Sequence, residues 1–462
     1  MRKRCTVAML AVCLVAAAIT ACPGRRPPTL IGNGGPGPGE AGPAVESYHG
    51  GWRLGPFEQV VEVAWVSPGQ LGYRARHGGG EELGRLGVLT GTADRALVVA
   101  EDCVYLGDPL PAELGCIYSV LSDLGNRTHY IRPDGTRQDF PAFFYRLSPS
   151  REQAVLFTSP PVLLEFMTGR SLILPDDLHH EWPAMAVGLR WSPCERLLLY
   201  EDWHNGSLVI LRTLDGEEEL RIEDEGWSSI EAAWSPDGRR IAFLSWRTGE
   251  PYAYRGDYDC RLTIGRRLGI LCFEPGEISY LPGQPMVFGR PVWCPAGRRV
   301  AFAAGAEKPG GEIEYRVLSE IWVHDTVTGE SSKVTSERSG IHGKQPVAWS
   351  PQGDRLLFVA SSGDEWADWV VDLATGLETR VGTPDRAAWL PDGRLLQVVT
   401  VAGGVPGQAL ELLDSAGGVT RLLEAARIGG IVVIGNGWFG GEHVGLILEE
   451  EPGREFVVVL PL

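Results

Sequence analysis

The chain has 462 residues, 44% of them hydrophobic, with 42 Lys and Arg against 59 Asp and Glu. Its formal charge of −17 lacks the basic face that nucleic acid or anionic lipid demands, so neither is expected as a partner. Its 60 glycines and 33 prolines exclude a helical repeat, because both residue types break helices.

In chain order, Arg2, Lys3 and Arg4 precede an apolar run from Thr6 to Ala21. That run falls short of the roughly 20 residues that span a bilayer as a helix. Basic start, short apolar run and small residues before a cut describe a secretory signal over 1–21. Ile19-Thr20-Ala21-Cys22 resembles a lipobox, which makes Cys22 the expected lipidation site and a lipid the membrane anchor. Removing the basic residues of the signal leaves 39 against 59, a mature charge of −20. The Gly/Pro-rich stretch over 22–47 cannot bury enough apolar surface to order itself and reads as a tether. The folded domain is then expected over 48–462.

A repeat fills that domain. Trp234-Ser235-Pro236-Asp237-Gly238-Arg239-Arg240-Ile241-Ala242-Phe243 is its fullest copy. Related copies begin at Trp191, Trp293, Trp349 and Trp389, with a weaker one at Leu147. Ser-Pro-Asp-Gly suits a type I turn, Pro setting φ at the second position and Gly relieving the fourth. Apolar residues precede the turn and β-branched or aromatic ones follow, which makes the unit a tight hairpin. With the strands that come after, such as Glu320 to Asp325, each unit of about 40 residues is one four-stranded propeller blade. The repeat Trp is expected to pack between neighbouring sheets. The fold expected is all-β, a single β-propeller of about eight blades, with seven as the alternative. Leu86 to Val99 reads as a degenerate first copy. Val60 to Trp65 would join a C-terminal blade, so that both ends of the chain close the ring and remove the open edge.

These hairpins resemble the TolB-type propeller repeat over about residues 86–428. The resemblance implies a secreted or envelope propeller that binds proteins. TolB itself carries a small α/β domain ahead of its propeller, whereas this tether runs almost directly into strands. Peptidase relatives with such propellers carry an α/β-hydrolase domain with Gly-x-Ser-x-Gly; that motif does not occur here, so a serine peptidase is not expected.

Six cysteines remain beyond Cys5, Cys13 and Cys22, in a compartment where disulfides persist. Cys103 with Cys116, and Cys260 with Cys272, are spaced to staple long hairpins; whether Cys194 meets Cys294 stays open. The insertion from Glu250 to Pro285 reads as a disulfide-pinned hairpin projecting from one blade.

Propeller ligands meet the loops that lead into the innermost strands. Here those loops hold His180, Glu181, Trp182, Trp227, Glu231, Arg290, His342, Lys344 and Arg386. Glu231, Arg290 and Arg386 each stand three before a repeat Trp and so take equivalent places on different blades. Asp176, Asp177, His179, His180 and Glu181 offer metal-ligand chemistry. Adjacent His residues on a strand point to opposite faces, which favours a solvated polar loop instead. Exposed Trp182 and Trp227 could stack on sugars or anchor an interface. The reading is a lipid-anchored extracytoplasmic propeller, monomeric, without cofactor and not an enzyme. It would scaffold envelope proteins or sense a ligand. The alternative is a carbohydrate-binding or lyase-type propeller with a metal at the channel mouth.

Overall fold

The computed structural model describes residues 44–461 apart from several short loops and the segments 176–188, 248–263, 306–318 and 434–442. The signal, Cys22 and nearly all of the tether therefore lie outside the described residues. Strand Ala44–Tyr48 pairs with Gly51–Phe57. Among the described residues no helix is long and apolar enough to cross a membrane.

Among the described residues the fold is an all-β propeller of nine small antiparallel sheets. They are numbered here as blades 1–8 along the chain from Gln59, with blade 9 drawn from both ends. They fall into two compact units, blades 1, 2, 3 and 9 in one and blades 4–8 in the other.

In the first unit, blade 1 is Gln59–Ser67, Gln70–His77, Gly80–Gly87 and Ala93–Ala100. Blade 2 runs from Val104–Pro109 to Arg137–Phe140, and blade 3 from Tyr145–Leu147 to Ser171–Ile173. Blade 9 joins Arg427–Val433, His443–Glu451 and Arg454–Pro461 to Gly51–Phe57 and Ala44–Tyr48 from the other end. Union of the two ends was expected, but Val60 to Trp65 is the first strand of blade 1, and Gly51–Phe57 is what pairs with the C-terminal strand. The residues around Leu86 and Val99 are the third and fourth strands of blade 1, not the start of a repeat. Leu54, Phe57, Leu71, Tyr73, Val457 and Val459 form the core between blades 9 and 1.

In the second unit, the first strands of blades 4–8 are Arg190–Trp191, Trp227–Trp234, Met286–Trp293, Ile341–Trp349 and Ala387–Trp389. The repeat shows its purpose here. The Ser235 hydroxyl accepts the Arg240 N–H at 2.9 Å and Ser350 accepts that of Arg355 at 3.0 Å. Cys294 replaces the serine in blade 6, and its Sγ takes the Arg299 N–H at 3.1 Å. The Trp then joins blades: the indoles of Trp293, Trp349 and Trp389 donate to Ala233, Val292 and Ala348 of the preceding blade at 3.0, 2.9 and 3.2 Å. An arginine six after the Trp completes the joint. Arg240, Arg299 and Arg355 each lie over the next blade's Trp, 5.1, 5.0 and 4.7 Å from the ring centre. Each also donates to the carbonyl of the next blade's turn glycine, Gly297, Gly353 or Gly393. In blade 5 the end of the Phe243 ring lies against Gly269, where an added Cβ would sit 2.5 Å from it.

Arg299→Ala removes one of these stacks together with its hydrogen bond. A loss of about 1–2 kcal/mol is expected in urea unfolding. Arg299→Lys should recover little of it, since an ammonium cannot offer a planar fork.

The cysteine expectation is corrected. Cys116 and Cys272 carry free thiols, as do Cys194 and Cys294. Cys116 pairs with Pro109 at the turn end of its hairpin. Burial pushes the Cys116 thiol up to about 11. Cys103 and Cys260 lie outside the described residues. The insertion is likewise more than a projection, because Arg267–Cys272 and Glu277–Tyr280 are the third and fourth strands of blade 5.

Candidate functional site

Three neighbouring first strands share one irregularity. In blade 5 the pairing jumps from Ile230 opposite Leu244 to Ala233 opposite Ala242, which makes a β-bulge of Glu231 and Ala232. Blade 6 slips between Phe288 and Val292, and blade 7 between His342 and Gln345. Gly289 and Gly343 take φ of 63° at these bulges, as glycine does freely, but Glu231 takes 51° with a full side chain. That conformation is sparsely populated for a non-glycine residue and is retained where surrounding structure enforces it.

The enforcing group is Glu201, at the end of the Leu197–Asp202 strand of blade 4. Its carboxylate is 1% exposed, and Oε1 accepts the Ala232 N–H at 3.0 Å. Burial pushes this carboxyl up to about 7, and the charge of Glu231 adds to the rise. Arg190, the Ala232 N–H and Arg290 pull the other way.

Beyond the bulge, Glu231 meets Arg290 of blade 6, Oε2 to Nη2 at 3.3 Å, with the arginine side chain 44% exposed. Both residues stand three before a repeat Trp. Among the described residues, Nε and Nη1 of Arg290 have no hydrogen-bond partner. Arg386, the third member of the expected set, is half-buried; its backbone N–H donates to Asp368 Oδ2 of blade 7 at 3.1 Å. Glu201 and Asp368 thus play one role at two blade junctions, gripping the backbone of the following first strand.

Lys344 is not a mouth residue. It is fully buried, with Nζ at 2.8 Å from Glu320 Oε2, 3.2 Å from Glu378 Oε2 and 2.6 Å from the Ser336 carbonyl. The second carboxylate is held in turn by the Ser336 N–H at 2.8 Å. The bulge turns Lys344 inward between blades 6 and 7, where it joins them.

Trp227 is also engaged internally. The Arg267 guanidinium sits 3.7 Å from its ring centre and 3.6 Å from that of Tyr280, and is tied to Asp224. A guanidinium clamped between two rings fills the face a sugar or partner would need. His342 lies in the first strand of blade 7 opposite Ser361. His180, Glu181 and Trp182, with Asp176, Asp177 and His179, lie outside the described residues.

Sequence reading missed Glu201, Asp368, Glu320 and Glu378. A signal was available for the first, since Glu201-Asp202 closes the apolar run Leu197-Leu198-Leu199-Tyr200 where a blade strand should stay apolar.

No family model matches the chain. Among curated proteins, dipeptidyl-peptidase 5 of Porphyromonas gingivalis is 29% identical over 155 residues, 32% of this chain. The match spans 20% of that protein. Among solved structures, the tricorn protease is similar over 90% of this chain and 47% of its own, with 9% identity and a TM-score of 0.39. A TolB structure from Agrobacterium tumefaciens is similar over 60% of this chain and 89% of its own, with 17% identity and a TM-score of 0.31.

Proposed function

We propose that the protein is a lipid-anchored extracytoplasmic propeller that binds an envelope protein or ligand without catalysis, through the first-strand charges of blades 5 and 6. The observation that carries this reading is the Glu231–Arg290 pair. Two opposite charges stand at matching bulges of adjacent blades, one of them with an open guanidinium, where a partner can compete for both. The basic start, apolar run and Cys22 support export and anchoring, and the mature charge of −20 turns away nucleic acid and anionic lipid. The peptidase activity named for dipeptidyl-peptidase 5 is not carried over, because this sequence contains no Gly-x-Ser-x-Gly.

The test is an affinity pull-down from detergent-solubilised envelope, comparing wild type with Glu231→Ala/Arg290→Ala/Arg386→Ala. A partner recovered by the wild type and reduced about tenfold with the variant is expected, given what removal of central charged residues does to an interface. Recovery of the same proteins at equal yield by both would remove this surface as the binding site.

A further inference from the structure

Resting on that reading, we infer that the ligand presents a carboxylate, which the open guanidinium of Arg290 receives while Glu231 gives way. The geometry selects the sign of the ligand. Glu231 meets Arg290 with Oε2 at 3.3 Å from Nη2, and among the described residues Nε and Nη1 have no hydrogen-bond partner. Both bidentate forks of a guanidinium, Nε with Nη2 and Nη1 with Nη2, include the nitrogen nearest Glu231, so a carboxylate takes a full fork as Glu231 gives way. A cationic ligand would instead have to take Glu231, which is 16% exposed in its side chain and held at a positive-φ bulge. The accessible half of the pair is the cation.

The groups around the pair tie this recognition to proton uptake. Arg190 comes from the first strand of blade 4, Glu201 from its second, Glu231 and the Ala232 N–H from blade 5, and Arg290 from blade 6. With Glu201 ionised, the four side chains balance. With Glu201 protonated, one net positive charge remains. Its carboxyl titrates near 7, so the cluster should favour an anion more strongly on the acid side of neutrality.

Calorimetric titration of the full chain with a capped hexaglutamate peptide, at about pH 6 and about pH 8, tests the assignment. A capped hexalysine peptide is the control. Hexaglutamate stays ionised at both values, so a change reports on the protein. Binding about fivefold tighter at the lower pH is expected, the size of one partly screened unit charge. Arg290→Gln should lose binding about tenfold with unchanged thermal unfolding. Glu201→Gln, which keeps an oxygen for the Ala232 N–H, should hold the low-pH affinity at both values. Equal binding by Arg290→Gln and wild type, or tighter binding at higher pH, overturns the inference. Preference for hexalysine, lost in Glu231→Gln, would overturn the carboxylate assignment and leave the binding surface standing. Failure of the pull-down alone would remove the envelope partner and leave the carboxylate site.

Discussion

Lys344→Met should destabilise the protein by about 3–5 kcal/mol, the cost of stranding buried charge by removing its partner. The methionine fills nearly the same volume, so the loss is electrostatic and not a cavity. Glu378 is fully buried in its side chain and Glu320 is 11% exposed, and both point their Oε2 atoms at the missing ammonium. Urea unfolding at neutral pH measures the loss. One control separates charge from packing: Glu320→Gln/Glu378→Gln in the same background should restore much of the loss. A loss below about 1 kcal/mol, in the range of a surface pair, would mean that the lysine does not join blades 6 and 7 electrostatically.

Glu201→Gln should act in the opposite direction and only above the acid range. The Glu201 carboxyl titrates near 7 in the folded protein, against an ordinary value of 4.5. The folded state therefore holds the proton more tightly, and ionisation opposes folding. The cost is absent below about 4.5, grows as pH rises through the window, and is complete above about 7. Its full size is on the order of 3 kcal/mol. The variant has no proton to lose and keeps an acceptor for the Ala232 N–H, so it should match wild type at about pH 4.5 and exceed it above about pH 7. Parallel stability curves across that window would show that Glu201 ionises without cost, and the low-exposure environment assigned to it would be wrong. The same proton that opposes folding when lost is the one that favours an anion at Arg290 when kept, so both experiments report on one group.

Nine blades stand where about eight were expected, for a local reason. The turn serine, the proline and the Trp are needed only where a hairpin uses the serine-closed turn, and blade 2 has no such turn. Blade 1 has a shortened form, Val66-Ser67-Pro68-Gly69, in which Ser67 pairs directly with Gln70. That copy was readable, but its compressed spacing hid it. The site divides similarly. Glu231 and Arg290 could be paired from sequence because both sit a constant distance from a Trp whose place in the blade is constant. Arg386 shares that distance, yet the link described for it is through its backbone to Asp368. Lys344 misled because one bulge residue decides which way a long side chain points, and pattern alone does not record a bulge.

What this sequence determines by itself is the blade. A serine or cysteine closing onto the N–H five residues on, a glycine at positive φ and an indole at the strand end are interactions of near neighbours, written in consecutive residues. What only the tertiary structure decided is the company each charge keeps. Glu201 became a near-neutral titrating group, Lys344 a buried joint and Trp227 one wall of an arginine clamp, through burial and pairing against strands distant in sequence. Desolvation and charge pairing depend on those distant neighbours, and no local pattern carries them.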